Sequence, residues 1–258
     1  MDIVSFSGGK DSTAMLLLMI EKSMHIDRIV FVDTTKEFPQ MYTHIEKVKS
    51  FIKPYEIETV KIDYDYWFAD HIKTRGKNKG KKGYGWPDFR NRWCTALKRE
   101  AFLSQVNSNS YNPRKRGCQV RKRGCIEIIE HHGIAYDEKN RCKKNEGCII
   151  KYPLVDWKIT GKQALQYCYS KGFDWGGLYE KMHRVSCWCC PLSRISELRI
   201  LHNEFPELWD ELIRMDKKSF RRFRSDYSIE QLKERLEKQM TEEEEEEEEG
   251  SGGVQVVR

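Results

Sequence analysis

Residues 7–12, Ser-Gly-Gly-Lys-Asp-Ser, are the part of the chain best suited to chemistry. Gly8 and Gly9 let backbone amides approach an anion with no Cβ in the way, and Lys10 adds a full positive charge. An apolar run, Ile3 to Phe6, precedes them, and Ala14 to Ile20 follows, so the loop joins a buried strand to a buried helix. Helix N-termini attract phosphate, and that is the ligand expected here. The loop is not a Walker A loop: Val4 stands where that motif needs glycine, and Asp11 follows Lys10 where it needs serine or threonine. A tight turn that only caps the helix is the plain alternative.

A second group of candidates is sulfur. Cys187 and Cys190 form a CxxC pair ahead of Pro191 with Cys189 between them, and Cys94 lies in the distant segment RWCT. Thiolates at such spacing hold zinc or an iron–sulfur cluster, whereas buried free thiols pack as small hydrophobes. Cys118, Cys125, Cys142 and Cys148 form a looser set with spacings unlike a zinc ribbon, and a small zinc site there is the alternative to free thiols.

Elements that must position these residues follow from periodicity. Strands are expected at Ile3 to Phe6, Arg28 to Asp33, Ile57 to Ile62 and Ile126 to Ala135. Helices are expected over Ser12 to Glu21, Gln40 to Ile52, Thr95 to Val106, Gly161 to Lys171, Ile195 to Met215 and Ile229 to Met240. Alternating strands and helices imply an α/β fold with a doubly wound parallel sheet, Rossmann-like, whose ligands bind at the carboxyl ends of the strands. The first loop and Asp33 both fall there. The expected organisation is a nucleotide-binding α/β domain over 1–193 with an inserted basic, cysteine-containing segment at 107–125. A helical C-terminal extension follows over 194–240, then an acidic disordered tail over 241–258.

Charge is unevenly spread. The net charge is +6, but Glu242 to Glu249 contribute −8, leaving +14 on the rest of the chain. RGKNKGKKGYG at 75–85, Arg90, Arg92 and the repeated RKRGC at 114–118 and 121–125 concentrate it, either as a solvated face or as a surface for a polyanion such as nucleic acid. The 75–85 stretch reads as a mobile surface loop. No apolar run approaches the roughly 18 residues of a membrane span, and no signal peptide is evident. With nine cysteines in a chain of this length, reduced thiols or metal ligands, and a cytoplasmic location without a membrane partner, are expected.

SFSGGKDS resembles the pyrophosphate (PP) loop of ATP pyrophosphatases. DTTKEFPQMY at 33–42, RWCTALK at 92–98, GIAYDEKNR at 133–141, YPLVDW at 152–157 and SCWCCPL at 186–192 resemble the phosphoadenosine phosphosulfate (PAPS) reductase family in the same order. The likeness spans about 2–240 and places the chain among the adenine-nucleotide α-hydrolase-like proteins.

The resemblance implies that Ser7, Gly8, Gly9, Lys10, Asp11 and Ser12 bind the phosphates of ATP. It also implies that Asp33, Thr34, Gly133, Ile134 and Arg141 border the nucleotide, and that Lys10 and Asp11 act in catalysis. Asp11 either reaches Mg²⁺ or caps the helix; Asp137 and Glu138 read as loop carboxylates, and His131 and His132 as structural histidines. Cys94, Cys187 and Cys190 would hold an iron–sulfur cluster or Zn²⁺, and a sulfur-donor protein is a further implied partner. Reductases of the family use a redox cysteine near the C-terminus and lack the full SGGKDS, whereas here no cysteine follows Cys190. ATP cleavage to AMP and pyrophosphate, activating a substrate for sulfur transfer, fits better. True sulfonucleotide reduction and a non-catalytic nucleotide sensor or nucleic-acid-binding partner are the alternatives.

Overall fold

A computed structural model of the chain describes residues 1–106, 128–143 and 149–238. The RKRGC repeats, Cys118, Cys125, Cys148 and the glutamate tail lie outside the described residues. The described chain divides into two compact units, one of residues 1–64 and 93–187 and the other of 65–92 and 188 onward.

The first unit is a five-stranded parallel sheet: β1 (Asp2–Phe6), β2 (Arg28–Asp33), β3 (Ile57–Lys61), β4 (Ile129–His132) and β5 (Ile149–Lys151), in the order β3-β2-β1-β4-β5. Its principal helices are α1 (Lys10–Glu21), α2 (Pro39–Phe51) and α3 (Trp93–Val106), followed by α4 (Pro153–Asp156), α5 (Gly161–Ser170) and α6 (Leu178–Lys181). β1 alternates its side chains between two buried faces, which is why Ile3 and Val4 are both fully covered. Ile3 and Val30 pack with Phe102 and Val106 of α3 on one face. The chain winds outward from β1 through β2 to β3 and then returns across β1 to β4. Right-handed crossovers therefore send the later helices to the opposite face and open a crevice at the carboxyl ends of β1 and β4.

β5 is the strand that periodicity does not reveal, because three residues with one half-covered side chain carry no alternation to read. β4 is shorter than the apolar run predicts. Gly133 ends it and the chain turns into a 3₁₀ helix over Tyr136–Arg141.

In the second unit, the helix expected over Ile195 to Met215 is two helices, α7 (Ile195–Glu204) and α8 (Pro206–Lys218). Pro206 has no amide hydrogen to continue α7 but suits the first turn of α8, so the break is chemical. Residues 229–238 are helical. The core of this unit gathers Phe68, Trp86 and Phe223, with the Trp86 indole donating to Asp216 Oδ1 at 2.6 Å. The stretch 75–85 is a loop of turns and bends, framed at its base by an antiparallel bridge between Ile72 and Lys82. No helix among the described residues is long and apolar enough to cross a membrane.

Candidate nucleotide site and the cysteine cluster

β1 ends at Phe6 and α1 begins at Lys10, so Ser7, Gly8 and Gly9 make the whole turn. Gly8 has φ +76, and a Cβ there would stand 2.8 Å from the Met41 sulfur; glycine is needed on both counts. Ser12 folds back over the loop, its hydroxyl donating to the Gly9 carbonyl at 3.0 Å and accepting from the Ser7 amide at 3.2 Å. The Ser7 and Ser12 hydroxyls are 2.9 Å apart. The Lys10 amide donates to the Tyr179 hydroxyl at 3.0 Å. Among the described residues no protein acceptor is found for the amides of Gly8, Gly9, Asp11 or Ser12, so four donors stand open at the positive end of α1.

Charged groups surround this cradle. Lys10 Nζ lies 2.7 Å from Asp11 Oδ1. Burial raises the Asp11 carboxyl above the usual aspartate value; Lys10 pulls it back, while Glu138 and Asp137 push it up. Asp137 Oδ1 accepts from the Gly161 amide at 2.9 Å, and a Cβ on Gly161 would lie 2.7 Å from Lys10 Nζ and within 3.7 Å of Asp11 and Asp137 oxygens. Gly161 thus leaves room for one ammonium and two carboxylates. Gly133 approaches more closely still, since a Cβ there would be 2.6 Å from the Ser12 Cα and 2.7 Å from its nitrogen. The Ile134 amide donates to the His132 carbonyl at 3.0 Å, completing the turn. Arg141 sits on the 3₁₀ helix and pairs with Glu138, its side chain about half exposed.

The back of the loop is fixed by groups no spacing rule announces. The Trp175 indole donates to the Gly8 carbonyl at 2.8 Å and stacks on His44 at 4.2 Å; His44 Nε2 lies 3.0 Å from the Thr13 hydroxyl. Burial, and to a lesser degree Lys47, push the His44 pKa down to about 3. A histidine whose folded pKa lies below its unfolded value binds fewer protons when folded. Its cost is therefore absent above pH 6.5 and grows as pH falls toward about 3, by up to about 1.4 kcal/mol per pH unit. Urea melts between pH 7 and 5, where few carboxylates titrate, are expected to show this loss in the wild type and a flatter profile in His44→Gln; parallel profiles would refute it. Cys168 is fully buried behind the same loop with its thiol pushed up to about 12 by burial, and acts as packing.

At the end of β2, Asp33 Oδ1 accepts from the Thr35 amide at 2.7 Å and the Tyr42 hydroxyl at 2.9 Å. Thr35 takes φ +60, costly for a β-branched residue. Thr34 turns toward Glu37 and Cys187, at 3.5 and 3.6 Å. Cys187 Sγ is also 3.5 Å from Glu37 Oε1 and 3.9 Å from Lys98 Nζ, and Lys98 pairs with Glu37 at 3.0 Å. Cys94 and Lys98 stand one turn apart on α3, on one face. Burial opposes the charge on Lys98, but the Cys187 thiol and Glu37, with Cys94 adding to them, outweigh it and raise its pKa.

Cys94 and Cys187 thus belong to the first unit and share an ammonium neighbour, while Cys190 belongs to the second. Among the described residues, the group of three or more ligand atoms within 4.8 Å of one another is Asp2, His25 and Asp27, at the amino ends of β1 and β2. His131 pairs with Asp2 at 2.7 Å and His132 with the buried Glu130 at 3.0 Å, beside Arg99, as structural histidines do.

Tyr179, Trp175, Gly161 and Asp137 are the site residues that sequence reasoning missed. Asp137 alone had a signal, its place in GIAYDEKNR.

An uncharacterized protein of Methanocaldococcus jannaschii is 26% identical over 228 residues, covering 81% of this chain and 40% of the relative, so the chain spans two fifths of that protein's length. Among solved structures, a U34-tRNA thiolase, NcsA, from Methanococcus maripaludis with its 4Fe-4S cluster is a weak likeness. It has a TM-score of 0.38 and 14% identity over 84% of this chain and 70% of that one. The model of the phosphoadenosine phosphosulfate reductase domain matches residues 2–193, three quarters of the sequence and all of the parallel sheet, and the chain belongs to that family.

Proposed function

We propose that the chain binds ATP with Mg²⁺ in the loop of residues 7–12 and cleaves it to AMP and pyrophosphate, activating a substrate for sulfur transfer. The observation that carries this reading is the set of four amides without protein acceptors at the N-terminus of α1, beside Lys10 and the paired carboxylates of Asp11 and Asp137. Amides and Lys10 neutralise the departing pyrophosphate, and preorganised donors cost no rearrangement as charge develops. The two carboxylates suit a hard cation that bridges phosphate oxygens. Attack of a substrate oxygen on the α-phosphorus expels pyrophosphate; the adenylated oxygen then leaves as AMP when sulfur takes its place.

Cys94 and Cys187 are soft donors beside a cation that offsets thiolate charge, the donor chemistry of an iron–sulfur cluster or zinc site. Such a group supplies a place to hold sulfide. Lys98 and Glu37 orient Cys187 whether or not it is filled. The strongly basic composition favours nucleic acid as the acceptor.

Incubation with α-labelled ATP, Mg²⁺, inorganic sulfide and single-stranded or transfer RNA is expected to yield labelled AMP and an equal amount of pyrophosphate. ADP and orthophosphate as products would reject the reading.

A further inference from the structure

The second unit holds a cluster of charge that the nucleotide site does not use. The Lys73 amide donates to the Lys81 carbonyl at 3.0 Å and the Gly80 amide to the Lys73 carbonyl at 2.8 Å, closing a loop that carries five basic residues. Gly76 and Gly80, with φ +74 and +84, let it turn. Beneath the loop, the rings of Trp67, His71 and Tyr84 stack, with His71 and Tyr84 5.4 Å apart and 17° from parallel.

Lys73 is only 9% exposed. Its ammonium lies 4.5 Å from the centre of the Phe220 ring and 5.4 Å from that of Tyr84, and it makes no ion pair with any described residue. Burial, then Arg221 and Lys81, lower its pKa from the usual lysine value, so its electrostatic neighbours are cations. Lys73 lines a cavity of about 350 Å³ with Arg75, Lys77, Asn78, Asn91 and Arg221, and no carboxylate is among the lining residues. Asp88 holds Arg221 at 2.7 Å from outside that lining, leaving Lys73, Arg75 and Lys77 uncompensated. Aromatic faces offset only part of the cost of burying an ammonium among like charges; an oxyanion offsets the rest. The volume suits a nucleotide unit better than a bare anion. Phe220, at the cavity's edge through its contact with Lys73, keeps its ring 60% exposed, with the Arg221 guanidinium over it at 5.7 Å. Exposed rings among cations are how proteins hold unstacked bases.

We propose that this cavity binds a backbone phosphate of single-stranded nucleic acid, with an adjacent base stacked on Phe220. The inference rests on the nucleic-acid acceptor in the preceding reading but on no residue of the ATP loop. Fluorescence anisotropy with the full chain and a labelled single-stranded oligonucleotide of about 12 nucleotides tests it. Lys73→Gln is expected to weaken binding about tenfold and reduce the salt slope by about one, with Lys73→Arg retaining both. Phe220→Ala is expected to weaken binding by about tenfold with the salt slope unchanged.

Lys10→Ala is expected to bind the oligonucleotide normally, so failure of ATP cleavage and failure of this site are told apart. Oligonucleotide affinity unchanged in a folded Lys73→Gln protein overturns the proposal. So does a wild-type cavity that takes inorganic phosphate, seen by chemical-shift change near Lys73, without binding the oligonucleotide.

Discussion

Lys10→Ala is expected to lower AMP formation by about a thousandfold while leaving the thermal midpoint nearly unchanged. Losing a single preorganised donor to a developing oxyanion costs about two to three orders of magnitude, and Lys10 is a full charge. Its side chain is partly exposed and, among the described residues, its ion pair is with Asp11, so little fold stability depends on it. Removing it also leaves the already burdened Asp11 carboxylate without its nearest cation. Nucleotide affinity should therefore fall as well, and Lys10→Arg should restore part of the affinity but little of the rate, since the guanidinium is larger and Gly161 bounds the space. Single-turnover kinetics separate the two effects. A variant within tenfold of the wild-type rate would move the catalytic charge elsewhere.

Gly133→Ala is expected to destabilise the first unit and abolish nucleotide binding. The added methyl would press within 2.6–2.9 Å of backbone atoms of Asp11 and Ser12, which cannot swing away as a side chain can. Overpacking of this kind costs about 1–3 kcal/mol, and relief requires moving the first turn of α1, whose amides form the cradle. The expected signature is a lower midpoint in urea together with at least a hundredfold loss of ATP affinity by calorimetry, a loss that a displaced cradle explains better than global unfolding. Gly172→Ala is the control, since nothing lies within 4 Å of that position, although its φ of +83 makes it mildly strained. Equal affinities in the two variants would show that the turn after β4 does not set the loop.

β1, the glycine turn and α1 are readable because an unbroken apolar run, two glycines and a second apolar run leave few other conformations. β2 is predicted to the residue, as RIVFVD is β-branched and closed by Asp33. The anion-binding character of Ser7 to Ser12 is equally local. Tyr179 and Trp175 are not legible, because they meet the loop across 169 and 167 residues and an isolated aromatic reads as core. The pairing of Cys187 with Lys98 and Glu37 is likewise a product of topology: one element comes from α3, one follows β2, and the third is 89 residues beyond Lys98. The division at Pro206 is missed by the single helix expected over Ile195 to Met215, although a proline inside a helical pattern is the signal for it.

The indole bond from Trp175 to Gly8, and the phenol that receives the Lys10 amide, carry a consequence for how the protein is made. Within the first unit, residues 1–21 are synthesised ahead of the rest and contain the strand, the turn and the helix of the cradle. Yet the turn's carbonyl and amide find those partners only once residues 175–179 have been synthesised. At about 5–20 residues per second, that interval lasts roughly ten to thirty seconds. Throughout it the turn lacks these two partners, so the site is complete only at the end of folding of the first unit.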